Sequence, residues 1–145
     1  MKPTLRSLRS IVGAMTMAAA VMALGMTPAL GKEVKVTLSG DQEVPPVSTM
    51  ASGGGTITVG DDMSVSGSVK TSGVEGTMAH IHVGASGKNG PVIVHLKKSP
   101  DGAWMVPPGT KLTSEQFKSF QAGDLYVNVH SDAHDKGELR GQIKP

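Results

Sequence analysis

All five histidines of the 145-residue chain fall between positions 80 and 134. Two patterns among them have the spacing of metal ligands. His80 and His82 stand one residue apart in "MAHIHVG" (78–84), and His130 and His134 stand four apart in "VHSDAH" (129–134). In a strand, side chains at i and i+2 share a face and stand roughly 7 Å apart. The first pair therefore puts two imidazoles on one face and Ile81 and Val83 on the other. Two such rings can lean toward one ion at bond lengths of about 2.0–2.1 Å. A third ligand must come from a neighbouring strand. His130 ends one whose Leu125, Val127 and Val129 face inward, and His134 can fold back as a fourth. His95, in "PVIVHL" (91–96), is expected as an exposed or hydrogen-bonded strand residue, and is the other candidate for the fourth position. An all-imidazole set suits Cu(II), Zn(II) or Ni(II), and the stability series favours copper among them, with zinc as the alternative. Met78 shares the face of His80 and His82; its thioether is expected to pack rather than to serve as a soft axial ligand.

Arg140 follows His130 by ten residues, past a turn at Gly137. A guanidinium beside a bound ion draws small anions by its fixed charge. The competing reading is a structural ion pair with Glu138 or Asp132.

Other chemistries are closed. The chain has no cysteine, which removes thiolate sites, thiol catalysis, disulfides and haem attachment through CxxCH. No Ser-His-Asp order is visible, and "GASGKNG" lacks the Walker spacing and reads as a turn.

The N-terminal stretch reads as a targeting segment. Lys2, Arg6 and Arg9 precede the apolar run "IVGAMTMAAAVMAL", followed by "GMTPALG". A basic start, a short apolar run and small residues before a break describe a secretory signal peptide. Cleavage is expected after Gly31, leaving residues 32–145 as one domain in the periplasm or the medium, with no remaining membrane segment. Three of the 14 basic residues and none of the 12 acidic ones lie before that point, so the net charge becomes −1. The basic balance of the full chain thus belongs to the leader, and nucleic acid is not an expected partner.

The elements that must hold the histidines read mostly as short strands. "EVKVTL" (33–38) alternates with period two. "ASGGG" (51–55) reads as a flexible connection. "TITV" (56–59) and "MSVSGSV" (63–69) flank "GDD" as a hairpin. "PVIVHL" is expected to turn Val92, Val94 and Leu96 to one face. "LTSEQFKSFQAG" (112–123) breaks the pattern. Thr113 with Gln116 forms a capping box, and Gly123 closes the far end, which predicts one short helix near 113–121. "GELRGQI" (137–143) ends the chain as a strand. The fold class is all-β: an antiparallel sandwich of immunoglobulin-like or superoxide-dismutase-like type.

Three stretches together, "LSGDQEVPPV", "AHIHVGASGKNGPVIVHL" and "GDLYVNVHSDAHDKGELRGQI", resemble the CHRD domain, a module named for its repeats in chordin. The resemblance spans about residues 37–143 and implies an exported β-sandwich. A weaker similarity is to copper/zinc superoxide dismutases, also β-sandwiches, in the order His80-Ile81-His82, then Val127-Asn128-Val129-His130, then Arg140. That likeness implies copper on His80, His82 and His130, with Arg140 guiding superoxide. The dismutase disulfide and zinc-binding loop have no counterpart, so the implied site holds copper alone.

Two functions follow as expectations. One is a mononuclear copper protein of the cell envelope that dismutates superoxide. The other is a non-enzymatic extracytoplasmic module that binds a protein partner or stores metal.

Overall fold

The computed structural model describes residues 31–145. The signal-peptide expectation lies outside these residues, save Gly31, which opens the first strand.

Nine strands form one antiparallel sheet around a single core. In chain order they are β1 (Gly31–Ser39), β2 (Ser52–Gly60), β3 (Val65–Ser72), β4 (Gly76–Val83), β5 (Val92–His95), β6 (Lys97–Lys98), β7 (Trp104–Met105), β8 (Leu125–Ser131) and β9 (Leu139–Ile143). Their spatial order is β5-β4-β8-β9-β1-β2-β3-β7-β6. The two ends of that order, β5 and β6, are separated in sequence by Leu96 alone. The chain therefore steps from one edge of the sheet to the other in a single residue, and the sheet wraps into a nearly closed barrel. Wrapping lets one apolar face serve every strand. Val34, Val36 and Leu38 of β1 meet Ile57, Val69, Ile81, Val127, Val129 and Leu139 in one continuous cluster. Each of these side chains is at least about nine-tenths buried, and burial of that kind supplies the main drive for folding.

The expected helix is present as α1 (Ser114–Gln121). The Thr113 hydroxyl accepts the Gln116 backbone N–H at 3.2 Å, and the Gln116 side chain accepts the Thr113 N–H at 2.9 Å. Gly123, at φ 79°, donates to Phe120 and ends it.

Three expectations are corrected. "ASGGG" is not a flexible link: Gly53, Gly54 and Gly55 lie in β2, paired to β1 on one side and β3 on the other. The reason is close approach of neighbouring backbones. A Cβ at Gly55 would run into the Ser68 carbonyl, and one at Gly54 would stand 2.9 Å from the Val36 carbonyl oxygen. Val92 does not face inward with Val94 and Leu96. A register shift between Ile81 and His82 interrupts the β4–β5 pairing, and Val92 is left 38% exposed. Met78 does not pack either, being 49% exposed on the outer face of β4.

Candidate metal centre

The outer face of β4, β8 and β9 is where the alternation puts its polar residues. His80 and His82 on β4 oppose Asn128 and Tyr126 on β8, and Asn128 and Tyr126 in turn oppose Arg140 and Gln142 on β9. Much of this face is covered, although Met78 at one end of it stays exposed. The strap 43–49, the loop 84–90 and the turn 131–137 lie over it. Glu43, His80, Asn128, His130, Ser131, Glu138 and Arg140 are the buried polar or charged side chains among the described residues, and all belong to this region. Buried polar groups carry more information than buried apolar ones, because each costs desolvation and needs a partner.

Most of them have partners that fix the covering loops. Asn89 donates to the Val44 carbonyl at 2.8 Å and Thr49 to Glu138 at 2.6 Å, which tie down the strap. The Asn128 amide donates to the Glu43 carboxylate and, at 3.1 Å, to the Leu139 carbonyl. Arg140 sends Nη1 to the Lys88 carbonyl and Nη2 to the Ala85 carbonyl, both at 2.9 Å, and Nη2 also to Gln142 at 3.0 Å.

Three histidines converge inside this shell. His80, His82 and His130 each offer one ring nitrogen, and the three nitrogens lie within 4.8 Å of one another. Their tautomers follow from their other partners. His82 Nδ1 is 2.9 Å from the Gly90 carbonyl oxygen, and His130 Nδ1 is 2.8 Å from that of Asp135. A carbonyl only accepts, so both Nδ1 atoms carry the proton and both Nε2 atoms present lone pairs. His80 Nδ1 stands 3.1 Å from His130 Nε2 and donates to it. His82 Nε2 is buried with no hydrogen-bond partner among the described residues.

Three nitrogens bound to one ion at about 2.0–2.1 Å lie roughly 3–4 Å apart. The observed set, with separations of up to 4.8 Å, meets that spacing once the rings close on one another by roughly an ångström. Both Nδ1–H bonds to backbone carbonyls are of the kind that orient metal-binding imidazoles. Electrostatics agree. Burial holds His80 down to about 4, helped by the neighbouring histidines, and burial also lowers His82. Both rings are therefore neutral at pH 7, the form a metal requires. The residues present thus fit a divalent transition metal.

The remaining sequence-predicted residues are placed as follows. His95 pairs with His80 across β4–β5, with ring centroids 4.8 Å apart and planes perpendicular, on the exposed side and outside the trio. His134 sits in the turn after β8, where it lines the rim of a cleft rather than joining the three. Arg140 is 1% exposed and stacks on Tyr126, its Cζ 3.6 Å from the ring centroid. Tyr126 stacks on His82 with its other face, centroids 4.7 Å apart and planes 9° off parallel. Neither Glu138 nor Asp132 is ion-paired with Arg140; Glu138 accepts from Ser131 and Thr49 instead.

A cleft of about 400 Å³ reaches the centre between the strap and the turn 133–137, with His82, His130, Asn128 and Glu43 in its wall. Sequence reasoning missed Glu43, Tyr126 and Asn128. A signal existed for the last two. Residues 126, 128 and 130 share a face of β8, and an asparagine between two core valines marks that face as polar.

Comparison with known proteins gives one match. The family model for the CHRD domain covers residues 34–143. Neither the curated proteins nor the solved structures contain a match to this chain. The likeness to superoxide dismutases rests on the order of residues alone. With the family model spanning all nine strands but the first residues of β1, the chain belongs to the CHRD domain family.

Proposed function

We propose that this CHRD domain is an exported metalloprotein that holds one copper ion on His80, His82 and His130. The observation that carries the reading is the orphaned Nε2 of His82, buried and without a partner among the described residues, on a ring that converges with those of His80 and His130. A buried nitrogen lone pair without a partner costs free energy, and an ion shared by three imidazoles removes that cost. Copper is preferred over zinc because imidazole ligation without thiolates or carboxylates follows the stability series. Export is supported by the leader-like segment before residue 32, and the described residues include no helix long and apolar enough to cross a membrane.

Superoxide dismutation is the activity this reading reaches furthest toward. Copper supplies a one-electron couple that superoxide can both reduce and oxidise. The chain's own contribution is to orient the imidazoles through Gly90 and Asp135, to exclude bulk water with the strap, and to leave a cleft that admits small anions. Arg140 serves the same end from behind Tyr126. Its guanidinium braces the loop that carries Gly90, which in turn orients His82.

Calorimetric titration of the metal-free domain with Cu(II) and Zn(II), followed by a superoxide-consumption assay, tests the reading. One tight Cu(II) site lost in His82→Ala supports it. Equal, weak binding of both metals by the native protein and the variant removes it. Tight binding without superoxide consumption leaves storage or delivery of copper as the function.

A further inference from the structure

Resting on the copper reading, we propose that Glu43 couples the binding of small anions in the histidine cleft to the uptake of one proton, delivered from a second cavity that the same residue lines. Glu43 stands in the wall between two spaces. One is the cleft it shares with His82, His130 and Asn128. The other, of about 360 Å³, lies between the strap and Ser86–Gly87 and is also lined by Arg140 and Gln142. The residue is only 6% exposed, yet it borders both. One carboxyl oxygen, Oε1, accepts the Asn128 amide; the other makes no hydrogen bond among the described residues. A carboxyl fixed by one oxygen and free at the other can carry a proton on the free oxygen.

The surrounding charges set when it does so. From β9 Arg140 faces Glu43 and favours its ionised form, as does the Asn128 hydrogen bond. From the 3-10 turn preceding it (Gly40–Gln42), Asp41 lines the second cavity. Across the cleft stand His82 and His130 with Tyr126, and at its rim His134, Asp135 and Lys136. Burial outweighs both, and the carboxyl is pushed up to about 7. Near neutral pH the group therefore exchanges a proton readily.

The step balances as one anion and one proton entering together. An ionised Glu43 takes a proton from solvent in the second cavity. The neutral carboxyl then donates its O–H to the anion in the cleft. An ionised carboxylate would repel that anion instead. On release of the anion, the proton leaves by the same route.

Azide is the probe. Protein loaded with one equivalent of Cu(II), native and Glu43→Gln, is titrated with azide between pH 6 and pH 9, following the azide-to-copper absorption. Glutamine keeps the acceptor for Asn128 and stays neutral, so it mimics the protonated state. Hydroxide competes for copper equally in both proteins, so the ratio of their affinities isolates Glu43. The ratio of variant to native affinity is expected to rise with pH, by about tenfold per pH unit where Glu43 is ionised. A constant ratio overturns the proposal. Infrared spectroscopy of the metal-free native protein gives a second reading that needs no variant. A protonated-carboxyl band that disappears on titration through pH 7 is expected, and its absence at pH 5.5–6.5 overturns the proposal. Failure of the copper reading is seen separately, before azide is added, as the lack of a bound Cu(II) signal; it overturns the anion coupling as well, whereas a bound Cu(II) with a constant ratio overturns the coupling alone.

Discussion

His80 Nδ1 lies 3.1 Å from His130 Nε2, a contact between residues fifty positions apart on adjacent strands. It brings together the His-x-His pair and the histidine that ends β8. The proton in that contact belongs to His80, because His130 already spends its own on Asp135. In a metal complex the proton must leave Nδ1, and the pair changes from donor and acceptor to two ligands. On the copper reading, the centre would be hydrogen-bonded when empty and coordinated when filled.

The three converging histidines should be separable from the other two by affinity. Replacing His80, His82 or His130 by alanine removes a ligand and is expected to weaken Cu(II) binding by about a hundredfold or more. His95→Ala and His134→Ala should leave it nearly unchanged, because neither ring belongs to the converging three. Competition with a chelator of known affinity reads all five. A loss at His134 as large as that at His82 would show that the turn after β8 folds inward on loading.

The metal-free domain should respond to pH in two opposing ways. His80 is held down to about 4 in the fold, against 6.5 when exposed. The unfolded chain thus binds the extra proton first, and stability falls as pH drops from 6.5 toward 4. Glu43 is pushed up to about 7 from 4.5. There the folded state holds the proton longer, and stability falls as pH rises from 4.5 to 7. Glu43→Gln should therefore stabilise the domain at pH 8, by on the order of 1–2 kcal/mol after allowance for solvent screening. At pH 4 the gain should vanish. Urea unfolding at the two pH values measures both, and an equal effect at each contradicts the burial argument.

Arg140 should prove a brace rather than a free charge. Its two bonds to the Ala85 and Lys88 carbonyls and its stacking on Tyr126 hold the loop 84–90 against the sheet. Arg140→Met keeps much of the volume but leaves those carbonyls without their charged donor, at a cost of about 3 kcal/mol. Hydrogen exchange should accelerate in residues 84–90 and leave β2 and β3 unchanged. Arg140→Lys should recover only part of the loss, because an ammonium lacks the planar fork that spans both carbonyls.

The glycines of β2 carry a separate prediction. Gly55→Ala puts a methyl group against the Ser68 carbonyl, so strand separation or a backbone shift must follow. A loss of more than about 2 kcal/mol is expected by thermal unfolding. Gly87→Ala, where a Cβ meets nothing but φ is 79°, should cost only about 1 kcal/mol.

The sequence made the histidine centre legible because strand periodicity is strict. His80 and His82 had to share a face, and His130 had to oppose the core valines beside it. The helix was equally readable, since Thr113 and Gln116 satisfy each other's backbone partners locally. What failed was whatever depended on a neighbour not visible in the chain. The glycine run at 53–55 looks like a linker in isolation and is a strand only because two other strands press on it. Val92 lost its expected face to a shift in the pairing of β4 with β5. Glu43 stands in the sequence only as part of "LSGDQEVPPV", with no partner visible nearby, and the strap folding onto Asn128 is what buries it. His134 had the right spacing to fold back, but its backbone N–H is engaged at Ser131, and the turn ends with the ring at the cleft rim.

The central claim is that three imidazoles from β4 and β8 share one ion. Electron paramagnetic resonance of the domain with one equivalent of Cu(II), recorded beside His82→Ala, tests it most directly. The account predicts a single species with hyperfine splitting from three ring nitrogens, reduced to two nitrogens or scattered among weak sites in the variant. One spectrum common to both proteins, or one set by oxygen ligands, would contradict it.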